Sequence, residues 1–194
     1  MTLALAFLLL LATVPAAGGR LSRLEEVRIR ALPLAVAAFG VQVLLVTVFP
    51  GGSETLHRAA HLVTYGLVAG CVLENLDLRF MWIVAVGGLL NFIAIAANGG
   101  VMPASASALS TAGLDVRSGE FANSDLVHNA HVSFLGDVFA IPAGWPGANV
   151  FSVGDALMLL GALLVLHAAT GSRLFAAGRT ARPQARGSQA APGR

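Results

Sequence analysis

The sequence predicts an all-α polytopic membrane protein: a bundle of about five transmembrane helices with a long ordered outer loop. Three observations lead there. Residues of the AVILMFWYC set make up 56% of the 194, DEKR only 11%, and mean hydropathy is +0.77. A soluble domain carries about 25% charged residues. The apolar residues gather in five stretches, and the arginines divide unequally between the connections. This composition excludes an ordinary water-soluble enzyme and a disordered chain. A formal charge of +2 gives no reason to expect a nucleic-acid partner.

Crossing the hydrocarbon core takes about 17–25 residues of helix. The stretches at or near that length are 2–17, 31–49, 59–76, 80–97 and 153–170. The first resembles a signal peptide at Val14-Pro15-Ala16-Ala17, but Met1-Thr2 offers no positive n-region. It is expected to be an uncleaved helix. Arg20, Arg23, Arg28, Arg30, Arg79, Arg173, Arg179, Arg182, Arg186 and Arg194 share one side of a five-span arrangement; only Arg58 and Arg117 lie on the other. The positive-inside rule then predicts an outside N-terminus and a cytoplasmic C-terminus in a cell membrane. The segment 20–30 has helical spacing of Leu21, Leu24 and Val27, and Glu26 can pair with Arg30 four residues on. It reads as an interfacial helix or a solvated connector. The tail 171–194 is expected to be a disordered basic extension near anionic lipid. Residues 1–170 form the single membrane domain.

Within the spans, Gln42, Asn91 and Glu74 are polar. Such groups face a bundle interior: Asn91, on one helical face with Asn98, makes an interhelical hydrogen bond or lines a crevice, while Glu74 near the cytoplasmic end can reach the interface. Gly66 and Gly70 form a GxxxG pair suited to close packing within the bundle. Trp82 and Trp145 suit the membrane interfaces. Cys71 reads as a small buried apolar residue.

The connection 98–152 carries most of the unusual chemistry. Phe134-Leu-Gly-Asp137-Val-Phe-Ala-Ile141 is too short to span and is expected to pack on the bundle or dip into the interface. Ser152-x-x-Asp155 has the pattern of a helix-capping box. Asp137 and Asp155 also form a candidate aspartyl pair, in which one shared proton would let one acid serve as base and the other polarise a carbonyl. Asn91, Asn98 and Ser152 would give polar support. His57 and His61, four apart, and His128 and His131, three apart, are weak metal-ligand candidates. No HExxH or Cys/His pattern supports a metal, and no cofactor is expected.

Asn98-Gly-Gly-Val-Met-Pro-Ala-Ser105, Phe134-Leu-Gly-Asp137-Val and Phe151-Ser-Val-Gly-Asp155, with His61-x-x-x-Tyr65, resemble a bacterial family of small multi-pass membrane proteins known as a domain of unknown function. That resemblance implies an integral membrane protein and no particular activity. Asn98, Asp137 and Asp155 also resemble, over about thirty residues, the acid pattern of lipoprotein signal peptidases, which are membrane aspartyl peptidases. The chain departs from that pattern: it lacks a Gly-Asn-x-x-Asp-Arg segment, and Asn149 stands six residues before Asp155. The leading expectation is a non-enzymatic membrane module whose outer loop caps the bundle and binds a partner or lipid. A membrane aspartyl hydrolase and a small-solute carrier are the alternatives. Membrane lipid, a membrane-protein partner and a second copy are the expected classes of contact.

Overall fold

A computed structural model describes residues 2–48, 53–114, 124–125, 127 and 129–178. The chain is mostly helical. The long helices are α1 (Thr2–Ala16), α2 (Leu32–Thr47), α3 (Glu54–Glu74), α4 (Met81–Ala97) and α6 (Val153–Thr170). Between α4 and α6 the loop builds a short helix, α5 (Ala106–Ala112). It also builds two small sheets, β1 (Met102–Pro103) parallel to β2 (Ser124–Asp125), and β3 (Phe139–Ile141) antiparallel to β4 (Asn149–Phe151).

The apolar stretches become helices with shifted ends. Hydropathy marks α3 from residue 59, yet the helix starts at Glu54, because a helical backbone continues through polar residues that a hydropathy window rejects. His57 and His61 therefore lie inside α3. Two helices, at Thr55–Glu74 and Val153–Thr170, are long and apolar enough to cross a membrane, and Leu32–Leu45 and Met81–Ala97 are shorter apolar helices. The segment after α1 forms a 3-10 helix only over Leu21–Glu26, and Arg30 pairs with Asp77 at 3.0 Å rather than with Glu26.

The helices pack side by side in the order α2, α3, α4, α6, α1. Gln42 Nε2 donates to Thr64 Oγ1 at 2.7 Å and ties α2 to α3. The closest packing joins α4 to α6. A Cβ on Gly87 would lie 2.6 Å from the Gly154 carbonyl oxygen, and one on Gly161 would lie 2.8 Å from the Val84 nitrogen. A Cβ on Gly154 would collide with the Asn91 amide. Small residues thus let the two backbones come together. The GxxxG pair does not serve this purpose. Nothing lies within 4 Å of a Cβ placed on Gly66, and Gly70 meets only Leu34.

At one end the connections α1–α2 and α3–α4 meet the end of α6. The Asn75 amide clamps the backbone of Arg30, accepting from its nitrogen at 2.9 Å and donating to its oxygen at 2.8 Å. This clamp holds the chain just before Ala31, which takes a left-handed conformation at φ 51°. The Arg20 nitrogen donates to Thr170 O, and the Arg79 guanidinium lies beside the contacting rings of Phe80 and Phe175, 4.7 and 5.0 Å from their centroids. His167 is buried, with Nε2 3.0 Å from Thr13 Oγ1. Thr13 already donates its one proton to Leu10 O, so His167 Nε2 is the donor.

The glycine packing yields a paired expectation. Gly154→Ala should destabilise the protein by about 1–3 kcal/mol through overpacking, while Gly66→Ala should be neutral or slightly stabilising. Thermal melts of both variants in detergent check this; equal effects at the two sites would contradict the packing described.

Candidate functional site: the polar knot beneath the long loop

The three sequence segments converge where α3, α4 and α6 end beneath the loop. Ser152 is the N-cap of α6, with extended backbone. Its Oγ accepts from the Asp155 nitrogen at 2.9 Å, and Asp155 Oδ2 accepts from the Ser152 nitrogen at 2.9 Å. This reciprocal pair satisfies two donors that the first helical turn leaves open. The acid also faces the positive end of the α6 dipole.

Asn91, fully buried on α4, completes the arrangement. Its Nδ2 donates to Asp155 Oδ1 at 2.7 Å. The Ser152 hydroxyl lies 2.8 Å from both Asn91 Oδ1 and Asp155 Oδ2, so its single proton serves one of them at a time. From α3, the Tyr65 side chain hydrogen-bonds Asn91 and lies in the field of both Asp155 and Asp137. Four polar side chains from three helices thus form one network. Both oxygens of Asp155 are engaged by donors.

Asp137 is buried by its backbone pairing. Its nitrogen donates to Pro103 O at 2.9 Å, and its carbonyl accepts from the Ser105 nitrogen at 3.1 Å. The approach is close enough that a Cβ on Gly136 would overlap the Pro103 carbonyl, so only glycine fits before this acid. Ser105 then caps α5, its Oγ accepting from the Ala108 nitrogen at 3.2 Å.

The remaining predicted residues fall elsewhere. Asn98 binds the loop rather than the acids: its Nδ2 donates to Ala94 O at 2.7 Å and His131 O at 2.9 Å, and its Oδ1 accepts from the His131 nitrogen at 2.9 Å. His57 Nδ1 lies 3.0 Å from Ser53 O, one turn back on the chain. His61 Nδ1 lies 3.0 Å from Gly100 O and its ring meets Tyr65 edge-on. Among the described residues no three His, Cys, Asp or Glu side chains cluster as a metal site would need, and His128 lies outside them. The residue missed by motif reasoning is Tyr65 as a member of the knot. Its signal was composition, since it is the only tyrosine in the chain.

A loop layer sits above the knot. Ala104, Ala108, Leu109, Ala112 and Val150 form a small core between α5 and β4, with Ala140 of β3 against it. Leu135 packs on the Ala94, Ile95 and Met102 cluster with Tyr65 and Leu62. Phe134, expected to pack there too, is instead 68% exposed. Its neighbour takes the place on α4, because the 3-10 turn Ser133–Leu135 aims only one of the two side chains inward.

The knot should behave as a unit. Asn91→Ala and Asp155→Ala should each lower stability, and the double variant should lose less than the sum. The expected coupling is about 0.5–3 kcal/mol. Thermal or denaturant unfolding of the four proteins measures it, and strict additivity would contradict the contact.

No curated protein and no solved structure matches the chain. A family model described as a family of unknown function, DUF5317, matches residues 26–167. That interval contains α2 through most of α6, and with them every member of the knot and every pairing of the loop described above. By this match the chain belongs to the DUF5317 family.

Proposed function

We propose that this protein is a five-span integral membrane module without catalytic activity, whose outer loop is a fixed cap presenting a surface to lipid or to a partner. The observation that carries this reading is the engagement of Asp155 by Asn91 and Ser152. The acid is spent on joining α6 to α4 and beginning the helix. A general base needs a lone pair directed at a reactant. The backbone pairing of Asp137 with Pro103 and Ser105 supports the same reading, since it fastens the loop to the helix ends.

Charge supports five spans with the N-terminus outside. In that topology the inner side holds ten arginines and four carboxylates, and the outer side two arginines and six carboxylates. Such asymmetry is what orients helices in a membrane. The apolar exteriors of the helices agree with lipid contact: Phe39 is 70% exposed and Val63 61%.

An aspartyl hydrolase is the second reading, favoured by placement: Tyr65 lies in the electrostatic field of both Asp155 and Asp137. The readings separate by stability. A joining role predicts that Asp155→Asn lowers the melting temperature, since an amide presents a donor where Asn91 and Ser152 already donate. A catalytic pair predicts a stable but inactive variant.

Topology is testable in intact cells. An impermeant maleimide should label Ser133→Cys in the outer loop and leave Ser188→Cys in the tail unlabelled, in a Cys71→Ala background. The reverse pattern would overturn the orientation. Hydrogen exchange tests the cap: the amides of Ser105, Asp137 and Val150 should exchange far more slowly than those of an unstructured loop.

A further inference from the structure

The β3–β4 hairpin has two unlike faces. Register pairs Phe139 with Phe151, Ala140 with Val150 and Ile141 with Asn149. Side chains alternate along a strand. Ala140 and Val150 therefore point to the core shared with α5, and that packing is observed. Phe139, Ile141, Phe151 and Asn149 occupy the opposite face. There the Phe139 and Phe151 rings stack at 5.4 Å, and Phe139 remains 46% exposed. A hairpin with one face in water normally carries polar residues on it. This one carries mostly apolar groups.

The tip continues the pattern. Trp145, 70% exposed, sits in the turn between the strands, and the Ala143 nitrogen donates to Thr111 O to fix the turn against α5. From Val138 to Gly154 no residue is charged, and Asp137 and Asp155 bracket the run. Strand β4 ends one residue before the Ser152 cap, so the start of α6 sets the height of the hairpin. Val153, next along the chain, is also exposed and apolar.

We propose that the β3–β4 hairpin is an interfacial anchor, with Trp145 and the Phe139/Phe151 face seated among the headgroups and upper acyl chains of the outer leaflet. The proposal rests on the reading that α6 crosses the membrane. Its chemistry is that of an aromatic belt: Trp supplies a large apolar ring and one N–H donor, which suit a zone apolar on one side and wet on the other. An uncharged backbone turn can enter that zone where a charged one could not. Its own hydrogen bonds are largely met by the β3–β4 ladder and by α5.

The test uses the full chain in phosphatidylcholine vesicles. Trp82→Phe leaves Trp145 as the sole tryptophan. Its emission should be blue-shifted, shielded from acrylamide, and quenched more by lipid brominated high on the acyl chain than by lipid brominated near the chain end. Should Trp82→Phe fold poorly, the difference between the native emission and that of Trp145→Phe gives the same spectrum. Water-like emission open to acrylamide overturns the anchor. So does a blue shift that brominated lipid leaves untouched, because it assigns the face to a protein contact. A control separates this from the span reading: Leu89→Trp, made with both native tryptophans replaced by Phe, probes the middle of α4. Quenching there by chain-end bromine without quenching of Trp145 rejects the anchor and leaves the spans standing. Loss of both rejects the spans on which the anchor rests.

Discussion

The architecture depends on one close approach, that of α4 to α6 at Gly87 and Gly154. It brings the Asn91 amide against the first turn of α6. An amide buried away from water must find its partners inside the protein. Asn91 has two donors and an acceptor oxygen, and Asp155, Ser152 and Tyr65 answer them. Because those partners lie on α6 and α3, one side chain fixes where α6 begins and how α3 is turned. A side chain on Gly154 would displace the amide, and the network would separate into groups without partners.

The loop layer inherits its position from this knot. Ser152 links the end of β4 to the start of α6, so the hairpin cannot shift without moving the cap. On its other flank the layer is held by Asp137 against Pro103 and Ser105, a backbone pairing that needs glycine at 136. Asn98 adds a third attachment at His131. The polar residues of the loop thus serve largely to bring three distant segments of chain to one end of the bundle.

Hydropathy made the helices legible, because each of them is apolar on most of its faces and leaves a long apolar run. It misplaced the start of α3, since it reads solvent preference and not backbone geometry. The Ser152-x-x-Asp155 cap was legible too, because its partners lie three residues apart. Asn91 was recognisable as polar in an apolar helix, but its partner stands sixty-four residues away and no local pattern names it. The glycines show the same limit. Gly66 and Gly70 carry a familiar spacing and pack little, whereas Gly87, Gly154 and Gly161 lie on two helices and become a motif only once those helices meet. Asn98, seven residues beyond Asn91, stands at the helix end and serves the loop.

The opposite end of the bundle is finished by arginines. Arg23 packs where a side chain on Gly171 would lie, at the C-terminus of α6, and Arg173 packs likewise on Gly18, just beyond α1. Both arginines are at the negative ends of helix dipoles, where a cation is favourable. Guanidinium, with five donors in a planar fork, meets terminal carbonyls better than a compact ammonium does. The chain has twelve arginines and no lysine. A charge placed only to set topology could be either residue. Where the same charge must also lie against aromatic rings, as Arg79 does beside Phe80 and Phe175, the planar group is the better choice. Removing Arg23, Arg173 or Arg79 would therefore loosen the end at which α1, α6 and the α3–α4 connection meet.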